Sequence, residues 1–499
     1  MQDRSEDGED APQYPKGVLV LSEEDVPFFL LDLQAGACDE KRDAEERRVH
    51  LQARRRGLVE ARVKFVVDLL SQLIQINTAN PPGNETPAAK LVAEVLAEGG
   101  VEHELIESAP GRGNVVAWAE SGEPGPSLLL LSHLDVVPAK PEEWSVDPFS
   151  GVVKDGFVWG RGALDDKLSV AVMLRAFLDV VESKRFKGRL IYAATADEEM
   201  GGRMGAGWLV ENRPDLVKAD YVLNEGGGFE MPGKRRSVFL VQVAEKGVYW
   251  FKLAFRGSPG HASMPKSGDN ALLKASRAAL AIASKQPPPD VKPYVKLMLE
   301  RVLEAQGVPA PLRPLLTSKL GLPLLLKALG DAAPMVDAML RNTLAPTVVR
   351  GGEKVNVIPS FCELSVDCRL LPGYGDEWVR SYVSKLLGGS GYELEFIHRD
   401  AATESPVGTP LFKAIEQAVA SEAPGSLVAP YMSTGGTDSR FFRRAFGSAA
   451  YGFVPLRSDL PLKEMLKMVH GIDERVSIKN VEFCYRTTLR TLEAFYKLV

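Results

Sequence analysis

The stretch SLLLLSHLDVVP (residues 127–138) decides the fold, because its apolar run ends abruptly in His-Leu-Asp before a proline. It reads as a buried strand, and its neighbours repeat the same grammar. The runs 113–119, 189–195 and 220–224 read as further strands. Apolar residues at helical spacing predict helices at 59–77, 86–99 and 167–182, and a shorter one near 203–212. Strand-like 101–107 and the turn Asn80-Pro81-Pro82-Gly83-Asn84 complete this part. Strands alternating with helices specify an α/β layered domain whose site lies at the carboxyl ends of its strands.

After Glu225 the pattern changes. Residues 238–255 read as one long alternating strand, 269–285 as a helix, 345–350 and 362–370 as strands, and 376–387 as a helix. This α+β pattern predicts a smaller domain inserted into the first. The α/β pattern resumes near 392 and runs to a terminal helix at 478–497. The predicted organisation is therefore an N-terminal extension of no assigned role (1–57), the first part of the larger domain (58–240), an inserted domain (241–391) and the second part of the larger domain (392–499). Inside the insertion, 290–342 is helical and rich in Leu and Pro. Core packing is the default reading of that segment, and an apolar channel selecting acyl-chain length is a second.

Composition narrows the function. A chain of 499 residues calls for two or more cores, and 45% hydrophobic with 25% charged residues excludes a disordered protein. With 60 Lys+Arg against 66 Asp+Glu, nothing suggests a nucleic-acid footprint. The four cysteines (Cys38, Cys362, Cys368, Cys484) are too few and scattered for a disulfide framework. Cys362 and Cys368 read as small core residues on one strand face. The acidic start lacks a signal peptide's basic region and no stretch reads as a membrane span, so a cytoplasmic location is expected.

The chemistry sits at predicted element ends. In an extended chain, residues two apart face the same way, so Asp135 can lie beside His133 and fix its imidazole. Alone, His-x-Asp is common. GRGALDDK (160–167) delivers Asp165 and Asp166 before a helix, where Asp also serves as an N-cap. TADEEMGG (195–202) places Asp197, Glu198 and Glu199 after a strand; they read as a solvated loop or as carboxylates that need a cation. LNEGGG (223–228) adds Glu225, and MVHGIDE (468–474) adds His470. Together these supply ligands for two divalent metals, with one carboxylate left over as a general base.

These motifs, with GSPGHAS (257–263), NVIP (356–359), DCRLLPG (367–373) and GGTDSRFF (435–442), resemble the dinuclear zinc aminoacylase and carboxypeptidase family. That family includes glutamate carboxypeptidase, succinyl-diaminopimelate desuccinylase and acetylornithine deacetylase. The similarity runs from about residue 60 to the C-terminus. EKG (245–247), PFSG (148–151) and GTDSRFF look most like the fatty-acyl-amino-acid hydrolase and vacuolar carboxypeptidase branch. The resemblance implies a zinc-exopeptidase-type α/β catalytic domain, with a mixed central sheet flanked by helices and a smaller α+β lid and dimerisation domain.

By motif it implies that His133 and Glu225 hold one metal, Glu199 and His470 the other, and that Asp165 bridges them. Glu198 would be the general base, and Asp135 the orienter of His133. It further implies a cis peptide between Asp165 and Asp166, His261 at the substrate carbonyl (often across a dimer), Asn356 and Arg369 at substrate polar groups, and Gly435, Gly436 and Thr437 lining the pocket. The metals would be zinc, with cobalt or manganese as alternatives. The implied reaction is attack of a metal-bridging hydroxide on the amide of an N-acyl amino acid or short peptide. Biosynthetic deacylation, and a non-catalytic metal-binding assembly protein of the same fold, are the competing readings.

Overall fold

The computed structural model describes the backbone of residues 40–499 and side chains from residue 57 onward, those of Leu462, Lys463 and Leu466 excepted. Cys38 and the acidic tail lie outside the described residues. Helix α1 (Glu40–Gln75) buries Val63, Val66, Leu69, Leu70, Leu73 and Ile74, the stripe expected from their spacing.

A mixed ten-stranded sheet organises the larger part. Its strands include β1 (Glu102–Glu107), β2 (Gly113–Glu120), β3 (Ser127–His133), β4 (Arg189–Thr195), β5 (Tyr221–Asn224) and β6 (Val238–Glu245). β3 lies between β4 and β5 and is parallel to both. The quoted stretch explains this central position. Leu128 and Leu130 belong to the core on one face, Leu129 and Leu131 to the core on the other, and all four are fully buried. The first core also takes in helix α2 (Thr86–Glu98) and helix α3 (Lys167–Ser183), whose residues from Lys167 to Leu174 are all buried.

The long strand expected at 238–255 is two strands. β6 ends at Glu245, and β7 (Gly247–Arg256) joins a separate antiparallel sheet with β8 (Thr343–Gly351), β9 (Phe361–Leu370) and β10 (Glu393–Asp400), in the order β8-β9-β7-β10. The cause is burial. Every residue of β6 is buried, as in a sheet covered on both faces, whereas β7 alternates, as in a sheet covered on one. The covering helices are α4 (Ala271–Ser284) and α5 (Asp376–Leu387). Cys362 and Cys368 are both buried there on one face of β9, and they are free thiols.

Two boundaries shift accordingly. β10 pairs with β7, so residues 393–400 belong to the smaller sheet and not to the resumed α/β part. The chain returns only at Thr403, which pairs with Glu245. Likewise Tyr294, Val295, Leu322, Leu325, Met339 and Leu340, from the Leu/Pro-rich helical segment, pack into the larger core. Leu325 is buried there and Leu324 is 63% exposed, so the buried leucines follow the core-packing reading.

A short strand, Glu230–Met231, pairs with β6, and the rest of the sheet comes from the last hundred residues. Strand β11 (Thr403–Glu404) and strand β12 (Leu427–Ser433) pair with β6, and β13 (Ala449–Gly452) lies between β5 and β6. Helix α6 (Ser439–Phe446) covers one face, and the terminal helix α7 (Ile478–Leu498) packs against α3 on the other.

Candidate active site

Parallel neighbours β4, β3 and β5 end at one edge of the sheet, and each delivers a functional group there. His133 is the last residue of β3, Glu198 and Glu199 form a single 3-10 turn after β4, and Glu225 follows β5. Asp165 arrives from the turn before α3, and His470 from the loop before strand Arg475–Ser477. Residues far apart in sequence thus converge at the carboxyl ends of the strands.

The candidate ligand atoms converge closely. One oxygen each from Asp165 and Glu199 and one nitrogen of His470 lie within 4.8 Å of one another. His470 Nε2 is 3.1 Å from Asp165 Oδ2 and 3.2 Å from Glu199 Oε2, and His133 Nε2 is 3.2 Å from Asp165 Oδ1. Asp165 therefore stands between the two histidines with one oxygen toward each. Glu199 Oε1 is buried with no hydrogen-bond partner. An orphaned buried carboxylate oxygen is costly unless something absent from the chain satisfies it. Imidazole nitrogen plus carboxylate oxygen is a donor set that suits a catalytic divalent metal, so the residues fit such an ion.

The electrostatics favour the same conclusion. Burial, with the charges of Glu198, Asp165 and Asp166, holds the Glu225 carboxyl well above the usual range. Glu198 is likewise raised by burial, with Asp438 and Glu199 adding to the shift and His133 and Arg440 opposing it. Hydrogen bonds to Asp165 and Glu199 push His470 up to about 10. Burial alone would lower His133, but its hydrogen bonds to Asp135 and Asp165 override that and raise it. So many like charges in a buried cleft are relieved by a divalent cation.

A layer of supporting groups fixes these side chains. Asp135 is fully buried, and its oxygens accept the backbone N–H of Glu198 at 3.0 Å and of Glu199 at 3.1 Å. One of them lies 3.5 Å from His133 Nδ1, while the Asp135 carbonyl is nearer, at 3.0 Å. Orientation of His133 thus involves both groups of Asp135. Asp166, joined to Asp165 by a cis peptide, accepts the backbone N–H of His133 at 3.2 Å.

Apart from Asp197, the further supporting residues were not singled out from the sequence. The third carboxylate of TADEEMGG, Asp197, pairs with Arg112 at 2.6 Å and also accepts from Asn80 and Met204, so its compensating charge is a guanidinium. Glu474 accepts the backbone N–H of Leu164 at 2.7 Å and of Asp165 at 3.0 Å, and pairs with Arg161 at 2.7 Å. Arg440 and Asp438, both buried, act electrostatically on Glu198. Glu474 and Arg161 lie inside quoted motifs, but only their acid and base character could have flagged them.

The remaining expected residues sit differently. Thr437 is buried, and its Cγ2 and the Gln242 amide crowd the space over Gly226, so the Gly435–Gly436–Thr437 turn abuts the Glu225 turn. His261 lies in the smaller domain on an exposed two-residue strand, Gly260–His261, paired with Val357–Ile358. Its Nδ1 is held by Ser263, and the adjacent Asn356 carbonyl accepts from Ala262. The structure brings His261 and Asn356 together, while their hydrogen bonds remain local. Arg369 is already forked onto Asp367, at 2.8 and 3.0 Å.

Residues 129–494 match the peptidase family M20/M25/M40. The chain belongs to this family. It is similar to the N-fatty-acyl-amino acid synthase/hydrolase of Homo sapiens, at 28% identity over 79% of this chain and 78% of that one. A probable carboxypeptidase S-like protein of Dictyostelium discoideum is 28% identical over 76% and 74%, and aminoacylase-1 of Homo sapiens 26% over 82% and 90%. Among solved structures, an M20 family metallo-carboxypeptidase from Sulfolobus solfataricus shares the fold with a TM-score of 0.63 at 18% identity, covering 87% of this chain and 99% of that one. A dinuclear metal-binding M20 peptidase from Bacillus subtilis does so with a TM-score of 0.59 at 13% identity, covering 88% and 100%. As an M20 protein, the chain is a metal-dependent hydrolase of amide bonds. No described helix is long and apolar enough to cross a membrane.

Proposed function

We propose that the protein hydrolyses the amide bond of N-acyl amino acids carrying a long acyl chain, using two zinc ions. The single observation behind the metal reading is Asp165, with one carboxylate oxygen toward each histidine, beside the orphaned oxygen of Glu199. His133 and Glu225 would hold one ion, Glu199 and His470 the other, with Asp165 shared; when bound, the pair would polarise the amide carbonyl and acidify water. The substrate class rests on the relatives: this chain resembles a fatty-acyl-amino acid hydrolase over three quarters of its length.

The chain's own residues perform the proton transfers. Glu198 is kept basic by burial, which suits a group that takes the proton of the attacking water and returns it to the leaving amine nitrogen. Asp135 holds the Glu198 backbone and thereby its reach. His261, on the exposed tip of the smaller domain, would stabilise the carbonyl oxygen once that domain closes or a second copy presents it. The exposed Trp250, Val348, Phe361 and Ile397 on the smaller sheet support its role as a dimerisation surface. Three buried free cysteines support a reducing, cytoplasmic setting.

The test is a panel of N-acetyl, N-succinyl and long-chain N-acyl amino acids with dipeptides, given to zinc-loaded and chelated protein. Metal-dependent release of free amino acid, fastest from long-chain substrates, is expected. Preference for the succinyl compounds would move the protein to biosynthetic deacylation. Silence from protein shown to hold two metals would overturn the reading.

A further inference from the structure

Two of the crossings between the larger and smaller domains, at 245–247 and 400–403, run side by side, and both carry a carboxylate onto helix α6. At the first, Glu245 pairs with Arg443 and accepts the backbone N–H of Thr437. At the second, Asp400, the last residue of β10, pairs with Arg440 Nε at 3.1 Å and with Arg444. The crossings are tied into both sheets: Glu245 pairs with Thr403 in one, and Val248 with Asp400 in the other. The link has no slack, because a Cβ on Gly247 would meet Ala402 N at 2.5 Å and Asp400 O at 2.7 Å.

Arg440 spends its other two nitrogens on the active site. Nη1 donates to the Thr437 carbonyl at 2.6 Å, and Nη2 donates to the Gly201 carbonyl at 2.8 Å. Gly201 closes the turn that carries Glu198 and Glu199, and Thr437 belongs to the glycine turn beside Glu225. One buried guanidinium thus joins the smaller domain, the base-bearing turn and the turn that abuts Glu225. A planar fork with fixed donor directions transmits position, which a flexible ammonium would not.

We propose that Asp400 is a positioning residue: by anchoring Arg440 from the smaller domain, it holds the Glu198 turn and the Thr437 turn in catalytic register. The proposal rests on Glu198 being the general base. Asp400 touches neither the metal ligands nor Glu198, so it acts only through Arg440. Arg444 is the control, because it shares the Asp400 carboxylate but otherwise donates to the Ala401 carbonyl, away from the site.

The experiment compares Asp400→Asn, Asp400→Glu and Arg444→Ala in the full chain loaded with zinc. Asp400→Asn is expected to lower kcat by roughly tenfold or more with KM within about twofold, since a misplaced base costs rate before binding. Asp400→Glu should restore most of the rate, and Arg444→Ala should stay near the parent. Amide hydrogen exchange is the readout independent of turnover: residues 198–204 and 435–438 should exchange faster in Asp400→Asn and not in Arg444→Ala. Equal losses in Asp400→Asn and Arg444→Ala would reduce Asp400 to a domain pin, and unchanged exchange with unchanged kcat would also overturn the proposal. If the parent hydrolyses nothing while exchange at 198–204 still rises in Asp400→Asn alone, the positioning link stands and the assignment of Glu198 fails.

Discussion

The Glu474 carboxylate accepts the backbone N–H of Asp165 at 3.0 Å, so the loop that carries His470 also fixes the backbone that presents the Asp165 carboxylate. Glu474 is fully buried, and Arg161, 2% exposed, is its counter-charge. Removing one member of such a pair strands the other. Glu474→Ala is therefore expected to cost about 3 kcal/mol or more in urea unfolding. It should also loosen metal binding, read as metal content after dialysis.

Glu198→Gln separates the proposed base from the proposed ligands. The substitution keeps the side chain's shape and leaves His133, Asp165, Glu199, Glu225 and His470 in place. Metal content should stay at the parent value while kcat falls by roughly 10²- to 10⁴-fold. Glu199→Ala should instead lower the metal content itself. Elemental analysis beside a rate assay distinguishes the two.

Asp135→Asn tests the support beneath both. The carboxylate of Asp135 accepts two backbone N–H groups and the Asn80 amide, and an amide in its place can present only one oxygen. A loss of about 10- to 100-fold in metal affinity or activity is expected. Competition against a calibrated chelator measures it.

Lys246 links pH to stability at the domain crossing. Burial pushes its amine down to about 7, although Nζ donates to the carbonyls of Ala338 and Arg341 and to Thr343. Between pH 7 and the ordinary lysine range the unfolded chain binds the proton more than the folded one does. Stability from this group therefore rises with pH, by up to about 1.4 kcal/mol per pH unit. Urea unfolding at pH 7 and pH 9 should show the parent gaining relative to Lys246→Met; no difference between the two slopes would count against a depressed amine.

The strand runs around His133 were legible because an apolar strand buried on two faces leaves little alternative, and the convergence of His133, Asp165, Glu199 and His470 was legible because these residues cluster where such strands stop. What stayed hidden depended on distance along the chain. Glu474 meets Asp165 across 309 residues, and Arg112 meets Asp197 across 85. No local pattern marks either partner. The break at Lys246 was missed because β6 and β7 are both rich in apolar residues, and only the change from continuous to alternating burial separates them. Arg369 looked available for a carboxylate from its motif, yet Asp367, two residues before it, already fills its fork.

The most direct test of the central claim is a titration of chelator-stripped protein with zinc, following hydrolysis of a long-chain N-acyl amino acid and bound metal together. Activity should be absent without metal, rise with loading and reach its plateau at two ions per chain, with Asp165→Ala holding fewer ions and inactive. Full activity in the stripped protein, or an inert protein at two bound ions, would contradict a paired-metal amide hydrolase built on Asp165.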